Sequence, residues 1–140
     1  TPHPKELERL IGVWNDDFDK LKKAKHFSNK HKIVLVIKGA NTITVFEDKY
    51  YINSSGNPGL STAGSGDVLT GMITGLISQG YDALSASIFG VYLHGKSADI
   101  AVEDCGYQSL IASDVLKYLG AAYMDLFKQM EPPQEDSNNE

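Results

Sequence analysis

Apolar and polar positions along the chain sort into a small set of elements. Leu7, Leu10 and Ile11 recur at helical spacing and predict a short helix over 5–11. Asp16 and Asp17 are start signals for a second helix running to about His31, with Phe18, Leu21, Lys25 and Phe27 as its narrow apolar face. Positions 32–38 read Lys-Ile-Val-Leu-Val-Ile-Lys, an uninterrupted apolar run. Such a run predicts a strand buried on both faces, as in a parallel sheet covered by helices. Stretches 42–46 and 50–53, separated by Glu47-Asp48-Lys49, predict a β-hairpin. The stretch 54–66 is rich in Gly, Ser, Asn and Pro and predicts a loop. Helices are predicted over 67–79, from Ala83 to about Val102, and from Asp114 to about Met130 with Ser113 as N-cap. Gly71 and Gly75 sit inside the first of these, where each costs up to about 1 kcal/mol against Ala, so they predict close packing against another backbone. Leu84, Ile88, Val91, Gly95 and Ala98 are expected to lie against the sheet.

Composition narrows the class. The chain has 140 residues, 41% hydrophobic and 22% charged, which suits one globular domain and excludes collagenous or wholly disordered chains. Its one cysteine, Cys105, excludes an internal disulfide framework. No apolar run approaches the roughly 18–20 residues that a membrane span needs, and no basic-then-apolar leader opens the sequence. These features predict a cytoplasmic protein without a membrane partner. The net charge is −5, and Glu131, Glu135, Asp136 and Glu140 carry most of it. The body is nearly neutral, which gives no basis for nucleic-acid binding. Residues 131–140 read as a disordered acidic tail.

The inventory is lopsided. One buried strand and a hairpin do not make a doubly covered sheet. The expectation is that residues 1–130 are the C-terminal part of a larger α/β domain whose N-terminal half is missing or supplied separately.

The strongest chemical signal is Gly56-Asn-Pro-Gly59 followed by Ala63-Gly-Ser-Gly-Asp67 at the mouth of a helix. Glycines let bare amides approach a ligand. The first helical turn adds unpaired N–H groups and a positive dipole end, a setting for phosphate. An acid there could take a proton from an attacking hydroxyl. Equally, Asp67 could serve only as a favourable charge at a helix N-terminus. No Lys-Ser/Thr pair follows the glycines, so this is not a Walker loop. No strand leads directly into it, so it is not a dinucleotide fingerprint.

Five segments occur in order: Thr1-Pro-His-Pro-Lys-Glu6, Val36-Ile-Lys-Gly-Ala40, the two glycine segments taken together, His94-Gly95, and Ile111-Ala-Ser-Asp114. This pattern resembles the ATP- or ADP-dependent NAD(P)H-hydrate dehydratases, a branch of the ribokinase-like fold. It departs at Lys5, where the family usually has Gly. The resemblance implies a ribokinase-like layered α/β/α sheet, of which this chain is the C-terminal half.

The resemblance also implies roles. Asp67 is the catalytic residue, which activates the ring hydroxyl of hydrated NADH or NADPH to attack the terminal phosphate of ATP or ADP. The amides of Gly64, Ser65 and Gly66 form the phosphate-holding anion hole. Lys38, Gly39, Ala40, Asn41, Thr42 and Gly66 line the adenine-nucleotide site. His3, Asn57 and Asp67 contact the hydrated dinucleotide. Mg²⁺ is expected on the phosphates, with no dedicated protein metal site. A homo-oligomer such as a tetramer, or the missing N-terminal half, is the expected assembly partner. Read from its residues alone, His3 is as well a polar residue in a proline-restricted turn, Glu6 a first-turn cap, and His94 a satisfied packing histidine. A ribokinase-like kinase of a vitamin precursor or sugar, and an inactive nucleotide-binding half-domain, are the competing readings.

Overall fold

The computed structural model describes residues 1–130, so the tail expected over 131–140 lies outside the described residues. Its elements run α1 (Pro4–Ile11), α2 (Asp17–His31), β1 (Leu35–Ile37), β2 (Ile43–Phe46), β3 (Lys49–Ile52), α3 (Ser65–Ser78), α4 (Ala83–Cys105), α5 (Ala112–Lys117) and α6 (Leu119–Met130). A 3₁₀ turn, Pro58–Leu60, precedes α3.

Both early helices start where the sequence predicts. The Asp16 carboxylate accepts the Asp19 N–H at 2.7 Å and so caps α2. The same helix ends at Lys32, which adopts the left-handed conformation at φ 53°. That turn consumes the first part of the predicted strand, which is why β1 spans only Leu35–Ile37. Successive β1 side chains point to opposite faces. Val36 packs with Leu69, Ile73, Leu76, Ala86 and Val91 of α3 and α4. Leu35 and Ile37 pack with Leu7 of α1, Ala24 of α2 and Val45 of β2. Burial on both faces thus follows the expectation, and a fully buried Val or Ile contributes about 1.5–3 kcal/mol each.

The strand pairing differs from the expectation. Among the described residues the sheet has three strands in the order β1-β2-β3, with both pairings antiparallel. Uniform apolarity reports burial and carries no information on strand direction. The hairpin turns at Glu47-Asp48, with Phe46 opposite Lys49 and Glu47 at φ 50°.

Helix packing corrects the glycine reading. Nothing lies within 4 Å of where a Cβ would stand on Gly71 or Gly75. Close approach falls to α4 instead. A Cβ on Gly90 would stand 2.7 Å from Ile73 Cγ1, and one on Gly95 would stand 2.6 Å from the Ser55 carbonyl carbon. The α4 face expected against the sheet therefore divides. Val91 joins the β1 core, Gly95 receives the loop at Ser55, and Ala98 packs with Met72, Leu110 and Val115. The last predicted helix is also broken. Its N-cap is Ile111 and not Ser113, and Tyr118 separates α5 from α6. The Asp114 carboxylate accepts the Ile111 N–H at 3.1 Å, which fixes that earlier start.

Candidate functional site: the amino end of α3

The loop leading into α3 is tied down by α4. Ser55 Oγ donates to the Tyr92 carbonyl at 2.9 Å. The Asp99 carboxylate accepts the Gly56 N–H at 2.8 Å and Asn57 Nδ2 at 2.9 Å. Asn57 Oδ1 accepts the Gly59 N–H at 3.0 Å. Both ends of the Asn57 amide are thereby engaged within the protein. Its bonds within the protein shape the loop.

Gly64 is the N-cap of α3 and has φ 81°, a conformation that favours glycine. A Cβ there would also stand 3.3 Å from Ala112 Cβ, so the start of α5 backs the turn. The helix begins at Ser65, two residues before the predicted start, which places Asp67 third in its first turn. Ser65 N–H donates to Thr62 O at 3.3 Å, and Val68 N–H reaches Gly64 O at 3.0 Å to open the helical ladder. Among the described residues the N–H groups of Gly64, Gly66 and Asp67 have no acceptor. Of the three amides expected in the anion hole, the one on Ser65 is thus engaged, and the open set includes Asp67. Asp67 is exposed, and its carboxylate makes no hydrogen bond among the described residues.

Lys38 completes the turn. It leaves the end of β1 half-buried, and its Nζ lies 2.9 Å from where a Cβ on Gly66 would stand. Only a glycine leaves that space to the ammonium. The Lys38 N–H donates to Pro2 O at 3.1 Å, and Thr1 Oγ1 lies 3.2 Å from Thr70 Oγ1 of α3. The Thr1-Pro2-His3 segment is therefore drawn to the same end of the molecule. Gly39, Ala40 and Asn41 form an exposed bend beyond Lys38, and Thr42 O accepts the Asn53 N–H at 2.9 Å.

His3 and Glu6 cap α1 reciprocally. His3 N–H donates to Glu6 Oε2 at 2.8 Å, and Glu6 N–H donates to His3 Nδ1 at 3.4 Å. The His3 N–H holds the Glu6 carboxyl below its ordinary range, with the charge of Lys38 a smaller contribution. His94 lies buried under the α3 turn, with Nε2 3.0 Å from Ser65 O and 3.2 Å from Ser65 Oγ. Burial pushes its pKa down, the Ser65 bond opposes this, and the charge of Lys38 lowers it further.

Sequence reasoning brought Gly66 and Asp67 forward in one segment and grouped Lys38 with Gly66 only through the family resemblance. It missed the contact between Lys38 and Gly66, the clamp by Asp99, and the placement of His94. The small residues around His94, namely Gly90, Gly95, Ser97 and Ala98, were the available signal that something approaches α4 closely. No group of three or more His, Cys, Asp or Glu among the described residues is arranged to hold a metal ion. Two cavities of about 520 and 680 Å³ lie elsewhere, one between the hairpin and α4 and one between β1 and α3, and the glycine turn lines neither.

The α/β scaffold that carries this helix start is of the ribokinase-like class. The structure is similar to a ribokinase-like superfamily protein from Enterococcus faecalis, with TM-score 0.67 and 26% identity over 94% of this chain and 44% of that one. A family model described as NAD(P)H-hydrate dehydratase matches residues 1–120, and the chain belongs to that family. It is similar to the ADP/ATP-dependent NAD(P)H-hydrate dehydratase of Bacillus subtilis co-crystallized with ATP/Mg²⁺, with TM-score 0.77 and 32% identity over 89% of this chain and 46% of that one. It is 41% identical over 134 residues to the bifunctional NAD(P)H-hydrate repair enzyme of Moorella thermoacetica, covering 94% of this chain and 25% of that protein. It is 39% identical over 119 residues to the ADP-dependent (S)-NAD(P)H-hydrate dehydratase of Neisseria meningitidis, covering 82% of this chain and 40% of that protein. The chain thus spans a quarter to somewhat under half of the length of these relatives.

Proposed function

We propose that this chain forms the phosphate-handling part of an enzyme that repairs hydrated NADH or NADPH at the expense of ATP or ADP. The observation that carries the reading is the cradle at the start of α3, where open amides and the Lys38 ammonium meet at a glycine that no side chain could replace without filling the space. The amides of Gly64, Gly66 and Asp67 and the ammonium of Lys38 would hold the terminal phosphate of the nucleotide. The exposed Asp67 carboxylate would take the proton of the substrate's ring hydroxyl as that oxygen attacks phosphorus. The phosphorus–oxygen bond to the nucleotide breaks; phosphate then leaves the ring carbon with its bonding electron pair, the neighbouring ring carbon gives up a proton to solvent, and the nicotinamide double bond is restored.

The segment 38–42 would carry the rest of the nucleotide, and His3 would contact the hydrated dinucleotide. Asn57 keeps the loop beneath both in shape. The donors at the turn are suited to anions, so Mg²⁺, when bound, would be held by nucleotide phosphates and water and would neutralise their charge. The family kinship favours this reaction over phosphorylation of a vitamin precursor or sugar. A cytoplasmic setting and an oligomeric assembly belong to the same proposal. The exposed apolar residues Met124, Phe127 and Met130 on α6 support the assembly.

The test is to incubate the whole protein with hydrated NADH, Mg²⁺ and ATP or ADP and to follow recovery of nicotinamide absorbance. Recovery with equimolar phosphate release is expected. No recovery, with phosphate transferred to a pyrimidine alcohol or sugar, would make it a kinase. Nucleotide binding with no turnover at all would make it a binding module.

A further inference from the structure

His94 is the buried one among the chain's four histidines. It stands on α4 directly against the first residue of α3. Its Nε2 is 3.0 Å from the Ser65 carbonyl oxygen and 3.2 Å from Ser65 Oγ. A carbonyl oxygen only accepts, so Nε2 carries the hydrogen and, in the neutral ring, Nδ1 carries the lone pair. Burial and the nearby charge of Lys38 both favour that neutral ring.

The consequence lies in the peptide plane. The Ser65 carbonyl and the Gly66 N–H belong to one rigid trans unit and point in opposite directions. The first turn of α3 already directs the Ser65 carbonyl into the helix and the Gly66 N–H out of its end, and the His94 bond adds a restraint from α4 that holds this plane in place. Gly66 is one of the open donors, and it is the residue beside Lys38 Nζ. A hydrogen bond to the carbonyl also polarises the shared peptide and strengthens its N–H as a donor.

We infer that His94 is a positioning residue: its Nε2–H fixes the Ser65–Gly66 peptide so that the Gly66 N–H faces the transferred phosphoryl group. The inference rests on the reading of this turn as the phosphate site. It gives His94 a task that packing alone does not require, since an apolar side chain of equal size would fill the same space.

The test compares His94→Phe, which keeps a flat ring and loses the donor, with His94→Gln, whose amide nitrogen can donate to the same carbonyl. Turnover of hydrated NADH, ATP affinity by titration calorimetry and melting temperature are measured on the whole protein. His94→Phe should lose about 10–100-fold in kcat, the penalty of a misaimed donor, with KM for the hydrated dinucleotide unchanged. His94→Gln should recover most of that loss. His94→Phe with wild-type kcat at an unchanged melting temperature would overturn the inference, as would His94→Gln as impaired as His94→Phe. Should His94→Phe fail to fold, the ¹⁵N imidazole spectrum of the wild type decides: a proton on Nε2 supports the inference, and a proton on Nδ1 alone overturns it. Should the wild type itself fail to restore hydrated NADH, the proposed reaction falls. ATP affinity then judges the inference separately, weakened in His94→Phe and restored in His94→Gln if it holds, equal in all three proteins if it does not.

Discussion

Replacing Gly66 with Ala should separate stability from phosphate binding. Gly66 is the second residue of α3 and is not among the glycines with positive φ. Alanine therefore fits its backbone, and in a helix it is favoured over glycine by about 0.5–1 kcal/mol. The nearest heavy atom to the new methyl would be Lys38 Nζ at 2.9 Å. That atom ends a flexible side chain, so it retreats to ordinary contact of at least 3.4 Å and the fold tolerates the change. Phosphate binding should not tolerate it. At an effective dielectric constant of about 20, moving an ammonium from about 3 to about 3.5 Å from a unit negative charge costs about 0.8 kcal/mol, or about fourfold in affinity. The methyl also occupies space that a phosphate oxygen would use. The assay pairs thermal melting with ATP titration and hydrated NADH turnover. The expected result is an unchanged or raised melting temperature with ATP affinity down at least about fourfold. Wild-type affinity and turnover in Gly66→Ala would refute the cradle, and a lowered melting temperature would refute the packing argument.

Three further outcomes follow from the same geometry. Asp99→Ala should cost about 2–3 kcal/mol in urea unfolding, because Gly56 N–H and Asn57 Nδ2 both lose a charged acceptor in a partly buried setting; an effect below about 0.5 kcal/mol would mean that water replaces the clamp. Gly95→Ala should destabilise the fold by about 1–3 kcal/mol or more, since the added methyl meets the rigid backbone of Ser55 and must push α4 off the loop; a stable, unshifted protein would contradict the packing. Tyr118 donates to the Asp104 carboxylate, which together with desolvation pushes its pKa up to about 12 from 10.0. A group raised in the folded state contributes stability below the unfolded value and loses it as pH climbs through the folded one. Stability should therefore decline between pH 10 and about 12, and Asp104→Asn should flatten that decline; an ultraviolet titration showing Tyr118 ionising at the ordinary tyrosine value would contradict it.

Much of this was legible in the chain because it is local. Asp16 as a cap, the apolar run at 33–37 and the polar turn at Glu47-Asp48 announce their structures within a few residues. The glycine turn that opens α3 was legible for the same reason, since Gly64 at positive φ marks a helix start within a few residues. What could not be read was relative placement. Gly71 and Gly75 look like packing glycines by spacing, yet the close approach falls to Gly90 and Gly95, whose partners Ile73 and Ser55 are remote in sequence. Strand direction was equally hidden, because side-chain burial is the same for parallel and antiparallel neighbours. The partner that holds Asn57 in the loop, Asp99, is 42 residues away and was equally hidden. His94 read as a satisfied packing histidine and is buried and hydrogen-bonded; its partner, Ser65, 29 residues earlier, was what spacing could not show.

The central claim is that a phosphate sits on the open amides of α3 with the Asp67 carboxylate acting beside it. Asp67→Asn tests this most directly, because it keeps the shape and the backbone N–H and removes only the base. Single-turnover recovery of hydrated NADH should fall by roughly 10²–10⁴-fold, while ATP binds at least as tightly as in the wild type. Turnover that survives the substitution would contradict the account.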